Sequence, residues 1–105
     1  MNDEIFLIED IKRKITPIAQ KYGVNRVFLF GSYARGEADG NSDIDFIIEK
    51  GKLRGLQFAG MLGDLQDNFN KSVDLLTTSG VEENSINYNF KDKIKNDMVV
   101  VYEKQ

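Results

Sequence analysis

The sequence predicts an α/β domain, a sheet covered by helices. Two amphipathic helical patterns, near the start and in the middle of the chain, frame short apolar runs that end in glycine or in polar loops. The run Val27-Phe28-Leu29-Phe30 stops at Gly31-Ser32, and the run Ile44 to Ile48 opens on two aspartates one residue apart. These two junctions organise the remainder of the chain.

From about Asp3 to Tyr22, Ile5, Leu7, Ile8, Ile11, Ile15, Ile18 and Ala19 recur at spacings of three and four, with Lys12, Arg13, Lys14 and Lys21 between them. That is an amphipathic helix able to cover a sheet. Pro17 inside the pattern predicts a kink or break near Thr16, and Gly23 a C-cap. Arg26 to Phe30 is a strand covered on both faces, because its apolar run is nearly continuous. At Gly31 the chain turns: glycine tolerates positive φ and lets a ligand approach the backbone, while Ser32 is suited to cap the next turn and leave N–H groups for an anion such as phosphate.

Asp39-Gly40-Asn41-Ser42 is a loop, and Asp43 to Glu49 the next strand. Alternation puts Asp43 and Asp45 on one face and Ile44, Phe46 and Ile48 on the other. Ile47 follows on the carboxylate side, so the acids sit at the mouth of a strand that is buried on both faces just beyond them. Two carboxylates about 5 Å apart repel by roughly 3 kcal/mol at an effective dielectric near 20, and a hard cation removes that repulsion. With Cys 0 and His 0, the donors are oxygens and the ion indicated is Mg²⁺. The alternative is a pair of solvated acids at a strand entrance.

Leu53 to Phe69 reads as a helix with Leu53, Leu56, Ala59, Leu62, Leu65 and Phe69 on one stripe. Gly55, Gly60 and Gly63 weaken it by up to about 1 kcal/mol each relative to Ala. Either a neighbouring backbone packs closely there or the segment is mobile. Lys71 to Leu76 is a third strand with one acid, Asp74, among apolar residues; it needs a partner or a metal, or must reach water at the strand end. Thr77 to Ser85 is loop-like, Ile86 to Lys95 a last helix, and Met98 to Tyr102 a closing strand at or near a sheet edge.

Composition narrows the chemistry. The 105 residues are the size of one domain, 1–105, with 41% hydrophobic and 30% charged residues. No apolar run spans a bilayer and the N-terminus lacks a basic leader, so the expected location is the cytoplasm, without membrane contact. The absence of Cys and His excludes disulfides, thiolate nucleophiles, zinc sites and histidine bases. A net charge of −3 argues against direct duplex nucleic-acid binding.

Gly31-Ser32, ten intervening residues, Asp43-Ile44-Asp45 and the later Asp74 together resemble the nucleotidyltransferase superfamily related to DNA polymerase beta. The run Phe30-Gly31-Ser32-Tyr33-Ala34-Arg35-Gly36 is similar to its minimal nucleotidyltransferase (MNT) members. The resemblance implies a mixed β-sheet with helices mainly on one side, two Mg²⁺ ions held by Asp43, Asp45 and Asp74, and ATP as substrate. Asp74 would complete the second ion's site and could take the acceptor's proton. Gly31 and Ser32 would cradle the β- and γ-phosphates. Arg35 would contact phosphate, or instead pair with Glu37 or Asp39.

In-line attack on an α-phosphate requires charge neutralisation and alignment more than an exotic side chain, so a chain without histidine suffices. Proteins of this kind are typically encoded beside a helical HEPN ribonuclease toxin. The resemblance implies an antitoxin that transfers AMP from ATP to a tyrosine of that toxin, within a homo- or hetero-oligomer. Two other readings stand beside it. One is a non-catalytic module whose acidic surface occludes a basic partner; the other is nucleotidyl transfer to a small molecule.

Overall fold

The computed structural model describes residues 5–78 and 98–104. Seven elements follow one another: α1 (Ile8–Tyr22), β1 (Arg26–Phe30), α2 (Gly31–Arg35), β2 (Ile44–Glu49), α3 (Gly55–Phe69), β3 (Val73–Thr77) and β4 (Val99–Glu103). The strands form one mixed sheet in the order β3-β2-β1-β4. β1 is antiparallel to both β2 and β4, whereas β2 and β3 are parallel, with α3 as the crossover between them. β4 lies at an edge of the described sheet, as expected.

Alternation along the strands builds two unequal faces. Val27, Leu29, Ile44, Phe46, Ile48, Val73, Leu75 and Val101 join the main core with Ile11, Ile15 and Ile18 of α1 and Met61, Leu65 and Phe69 of α3. Phe69 is fully buried, its ring centroid 5.2 Å from Phe6 and 5.9 Å from Phe46. Truncation to alanine there would cost about 3–5 kcal/mol. The opposite face carries a small cluster of Phe28 and Ile47 with Phe30 and Met98, so β2 is indeed buried on both faces past its acids.

Element limits differ from the sequence expectation in places with clear physical causes. α1 begins at Ile8, not Asp3: Leu7 is its N-cap without a side-chain cap bond, and Phe6 turns into the core against Phe69. Nor does Pro17 break the helix. Ile11 and Ile15 before it and Ile18 and Ala19 after it are buried in one core, so packing outweighs the lost backbone bond. Gly23 caps α1 in the left-handed conformation at φ 68, as expected.

α3 begins at Gly55, where Gln57 Oε1 accepts the Arg54 N–H at 2.9 Å. Its buried stripe is Met61, Leu65 and Phe69, with Phe58 and Leu62 half-buried; Leu56, expected on that stripe, is 92% exposed. The third strand starts at Val73 rather than Lys71 and includes Thr77. Of the loop expected at Thr77 to Ser85, Thr77 belongs to β3 and 79–85 lie outside the described residues, as does the helix expected at 86–95. No described helix is long and apolar enough to cross a membrane.

Candidate functional site

β1 ends at Phe30, whose antiparallel partner on β2 is Asp45. The next residue, Gly31, has φ +74, and a Cβ there would lie 2.5 Å from Asp45 Oδ2. Glycine is therefore demanded twice, by backbone conformation and by the carboxylate beside it. The turn continues as α2, a single short helix that Gly36 closes at φ 73, with Glu37 N donating to the Ser32 carbonyl at 2.9 Å. Ser32 lies inside α2 and does not cap it, a correction to the expected role: the N-cap of α2 is Phe30, in extended conformation and without a side-chain cap bond. Ser32 remains half-buried, next to the glycine that abuts Asp45.

β2 starts at Ile44, so Asp43 stands one residue ahead of the strand, exposed. Asp45 is half-buried within it. Across the parallel β2–β3 pair Asp45 is in register with Asp74, which is exposed on its strand rather than buried among apolar neighbours. Desolvation, then the hydrogen bond and charge of Asp74, then the charge of Asp43, push the Asp45 carboxyl up to about 7; Arg35 opposes them. The three aspartates and the glycine turn thus occupy one end of the sheet. Asp45 and Asp74 touch, and Asp43 acts on Asp45 from the strand mouth.

Among the described residues, no three acids form a preformed metal cage. Mg²⁺ is commonly held through carboxylates together with substrate phosphates. The all-oxygen donor set and the like charges crowded around Asp45 fit such an ion. Arg35 Nε donates to Glu37 Oε2 at 3.0 Å, so the expected alternative pairing is present, yet its charge also reaches Asp45. Asp39 instead organises its own loop, accepting the Asn41 N–H at 2.8 Å. A groove of about 500 Å³ lined by Ile5, Phe6, Leu7, Tyr33 and Ala38 contains none of the three aspartates.

Sequence reasoning missed Lys71. Read only as the first residue of a strand, it is buried at 6% exposure, and its Nζ donates to the Gly40 carbonyl at 2.9 Å. Nothing local in the sequence marks a lysine that folds back over a loop thirty residues upstream.

A strand-end glycine turn packed on one carboxylate, with a second carboxylate in register on the adjoining parallel strand, marks this end of the α/β sheet as the candidate site. The polymerase beta nucleotidyltransferase family model matches residues 13–105, and the chain belongs to that family. A Methanocaldococcus jannaschii protein, provisionally named a protein adenylyltransferase, is 43% identical over 95 residues, covering 90% of this chain and 97% of the relative. The protein adenylyltransferase MntA of Thermococcus cleftensis is 29% identical over 80 residues, covering 71% of this chain and 81% of its own.

The fold is also that of solved structures. A toxin–antitoxin complex with AMP-PNP superposes with a TM-score of 0.68 at 21% identity, covering 90% of this chain and 74% of that one. A complex of tri-AMPylated Shewanella oneidensis HEPN toxin with MNT antitoxin gives a TM-score of 0.60 at 18% identity, covering 90% and 71%.

Proposed function

We propose that this chain is a Mg²⁺-dependent protein adenylyltransferase that transfers AMP from ATP to a tyrosine hydroxyl of a HEPN ribonuclease toxin, and so acts as its antitoxin. The observation that carries the reading is the contact of Gly31 with Asp45, in register with Asp74, at one end of the sheet. Family membership and relatives named protein adenylyltransferase support the activity. Neighbouring structures of MNT antitoxin with HEPN toxin support the partner.

In this reading the backbone at Gly31 and Ser32 cradles the β- and γ-phosphates, and Arg35 adds positive charge beside them. Asp43, Asp45 and Asp74 would hold two Mg²⁺ ions, which when bound neutralise the triphosphate and lower the pKa of the acceptor hydroxyl. Asp74 would accept the acceptor's proton, a role its exposure on the strand supports. Asp45, half-buried and crowded by two acids, is the ligand whose charge most needs a cation.

The test is incubation of the chain with its HEPN partner, Mg²⁺ and ATP labelled on the α-phosphate. Label should enter the partner with wild type and fall by at least about a hundredfold with Asp43→Asn, Asp45→Asn or Asp74→Asn. Equal labelling by wild type and the Asp45→Asn variant would reject the proposal.

A further inference from the structure

The loop that delivers Asp43 is tied up internally. Asp39 accepts the Asn41 N–H and the Ser42 hydroxyl through Oδ1, while Ser42 Oγ accepts the Asp39 N–H at 2.8 Å. Such a loop moves as a unit, so the position of Asp43 depends on how the unit is anchored. Among the described residues, two bonds tie it and the strand it enters to the same dipeptide. Lys71 Nζ donates to the Gly40 carbonyl at 2.9 Å, and Ile44 N donates to the Ser72 carbonyl at 3.1 Å. They bracket Asp43 on either side, and two residues beyond Ser72 the same segment carries Asp74.

From this bracket we infer that Lys71 is a positioning residue: it clamps the 39–42 loop to the segment entering β3 and thereby fixes Asp43 relative to Asp45 and Asp74. The inference rests on the metal-site reading above. A buried lysine is a costly way to fill space, since it surrenders hydration and side-chain freedom that an apolar residue of similar length would not. What the lysine adds over methionine is a donor aimed at one carbonyl of the loop. It touches neither nucleotide nor acceptor and acts through the loop it holds.

The experiment compares Mn²⁺ binding, read from the EPR signal of the free ion, in wild type, Lys71→Met, Lys71→Arg and Asp43→Asn, alongside thermal melting of each. The Lys71→Met variant should keep a wild-type melting temperature and bind Mn²⁺ on the order of tenfold more weakly, as when a residue that orients a metal ligand is removed. Lys71→Arg, which retains a donor, should recover most of the affinity. Should the methionine variant fail to fold, Lys71→Leu, which likewise lacks a donor, gives the same comparison. Unchanged Mn²⁺ affinity in a folded Lys71→Met or Lys71→Leu protein overturns the inference while leaving the metal site standing. Wild type that binds no Mn²⁺, or Asp43→Asn that binds it equally well, overturns the site reading and this inference together.

Discussion

Gly31 leaves beside Asp45 a space that no side chain could share. Alanine at 31 would have to hold φ near +74 with its Cβ 2.5 Å from a carboxylate oxygen, so the turn or the aspartate must move. Gly31→Ala should therefore lower stability by about 1–3 kcal/mol and cut AMP transfer by on the order of a hundredfold, checked by chemical denaturation and by the labelling rate. A folded variant with full activity would show that the turn does not set the geometry.

Asp45 makes a second prediction through its protonation. Its folded carboxyl, near 7, lies above the 3.8 of the unfolded chain, so the folded state binds the proton more tightly. Stability is then greatest below the unfolded value, declines as pH rises from about 4 to about 7, and levels off above that. In metal-free protein, denaturation midpoints should follow that decline in wild type and lose it in Asp45→Asn, which keeps the shape without the charge. Magnesium competes with the same proton, so its affinity should strengthen as pH rises through about 7. A metal affinity indifferent to pH across that range would contradict the assignment of Asp45 as a ligand.

At the scale of the element, the glycines of α3 separate two explanations that the sequence left open. A Cβ at Gly60 would meet the Tyr22 hydroxyl at 3.1 Å, and that hydroxyl is held by Asp64 Oδ2 at 2.6 Å, with Lys21 Nζ on the same oxygen at 2.9 Å. The cluster ties α1 to α3, and the Tyr22 and Lys21 bonds hold the Asp64 carboxyl below its usual range. At Gly63 nothing lies within 4 Å of a Cβ. Gly63→Ala should raise stability by about 0.5–1 kcal/mol, as expected in a helix interior, while Gly60→Ala gains nothing or loses. Thermal melting decides: a Gly60→Ala protein stabilised as much as Gly63→Ala would mean that Tyr22 is not fixed.

The same helix shows how far element-level reading reached. Periodicity located α3 but assigned Leu56 to its buried stripe, because spacing alone cannot tell which side of a short helix meets the sheet; Met61 and Phe58 took that side instead. Strands were read more closely than helix ends. The alternation of Ile44, Phe46 and Ile48 against Asp45 and Ile47 was visible because a period of two leaves little choice once one face is apolar. The start of α1 was overextended because Ile5 and Leu7 continue the pattern, yet the chain turns Phe6 inward before the helix begins.

At the scale of the whole molecule, the sheet order β3-β2-β1-β4 gathers residues far apart in sequence at one end. The acids and the glycine were identifiable because metal and phosphate chemistry restricts residue type and spacing. Their mutual placement was not, since Asp45 meets Asp74 through a parallel pairing that only the crossover α3 makes possible. Lys71 escaped notice for a related reason: its value lies in a contact with a loop carbonyl, and a carbonyl carries no sequence signature. A net charge of −3 would also suit a module that merely covers a basic enzyme. Covering and modifying differ in what is left behind on the partner.

That difference is measurable. HEPN partner is exposed to a substoichiometric amount of this chain with ATP and Mg²⁺, purified away from it, and assayed for ribonuclease activity, with intact mass recorded on the same sample. The partner should stay inactive after separation and carry one or more adenylyl groups. A partner that regains full activity once freed, with its mass unchanged, would contradict the proposal.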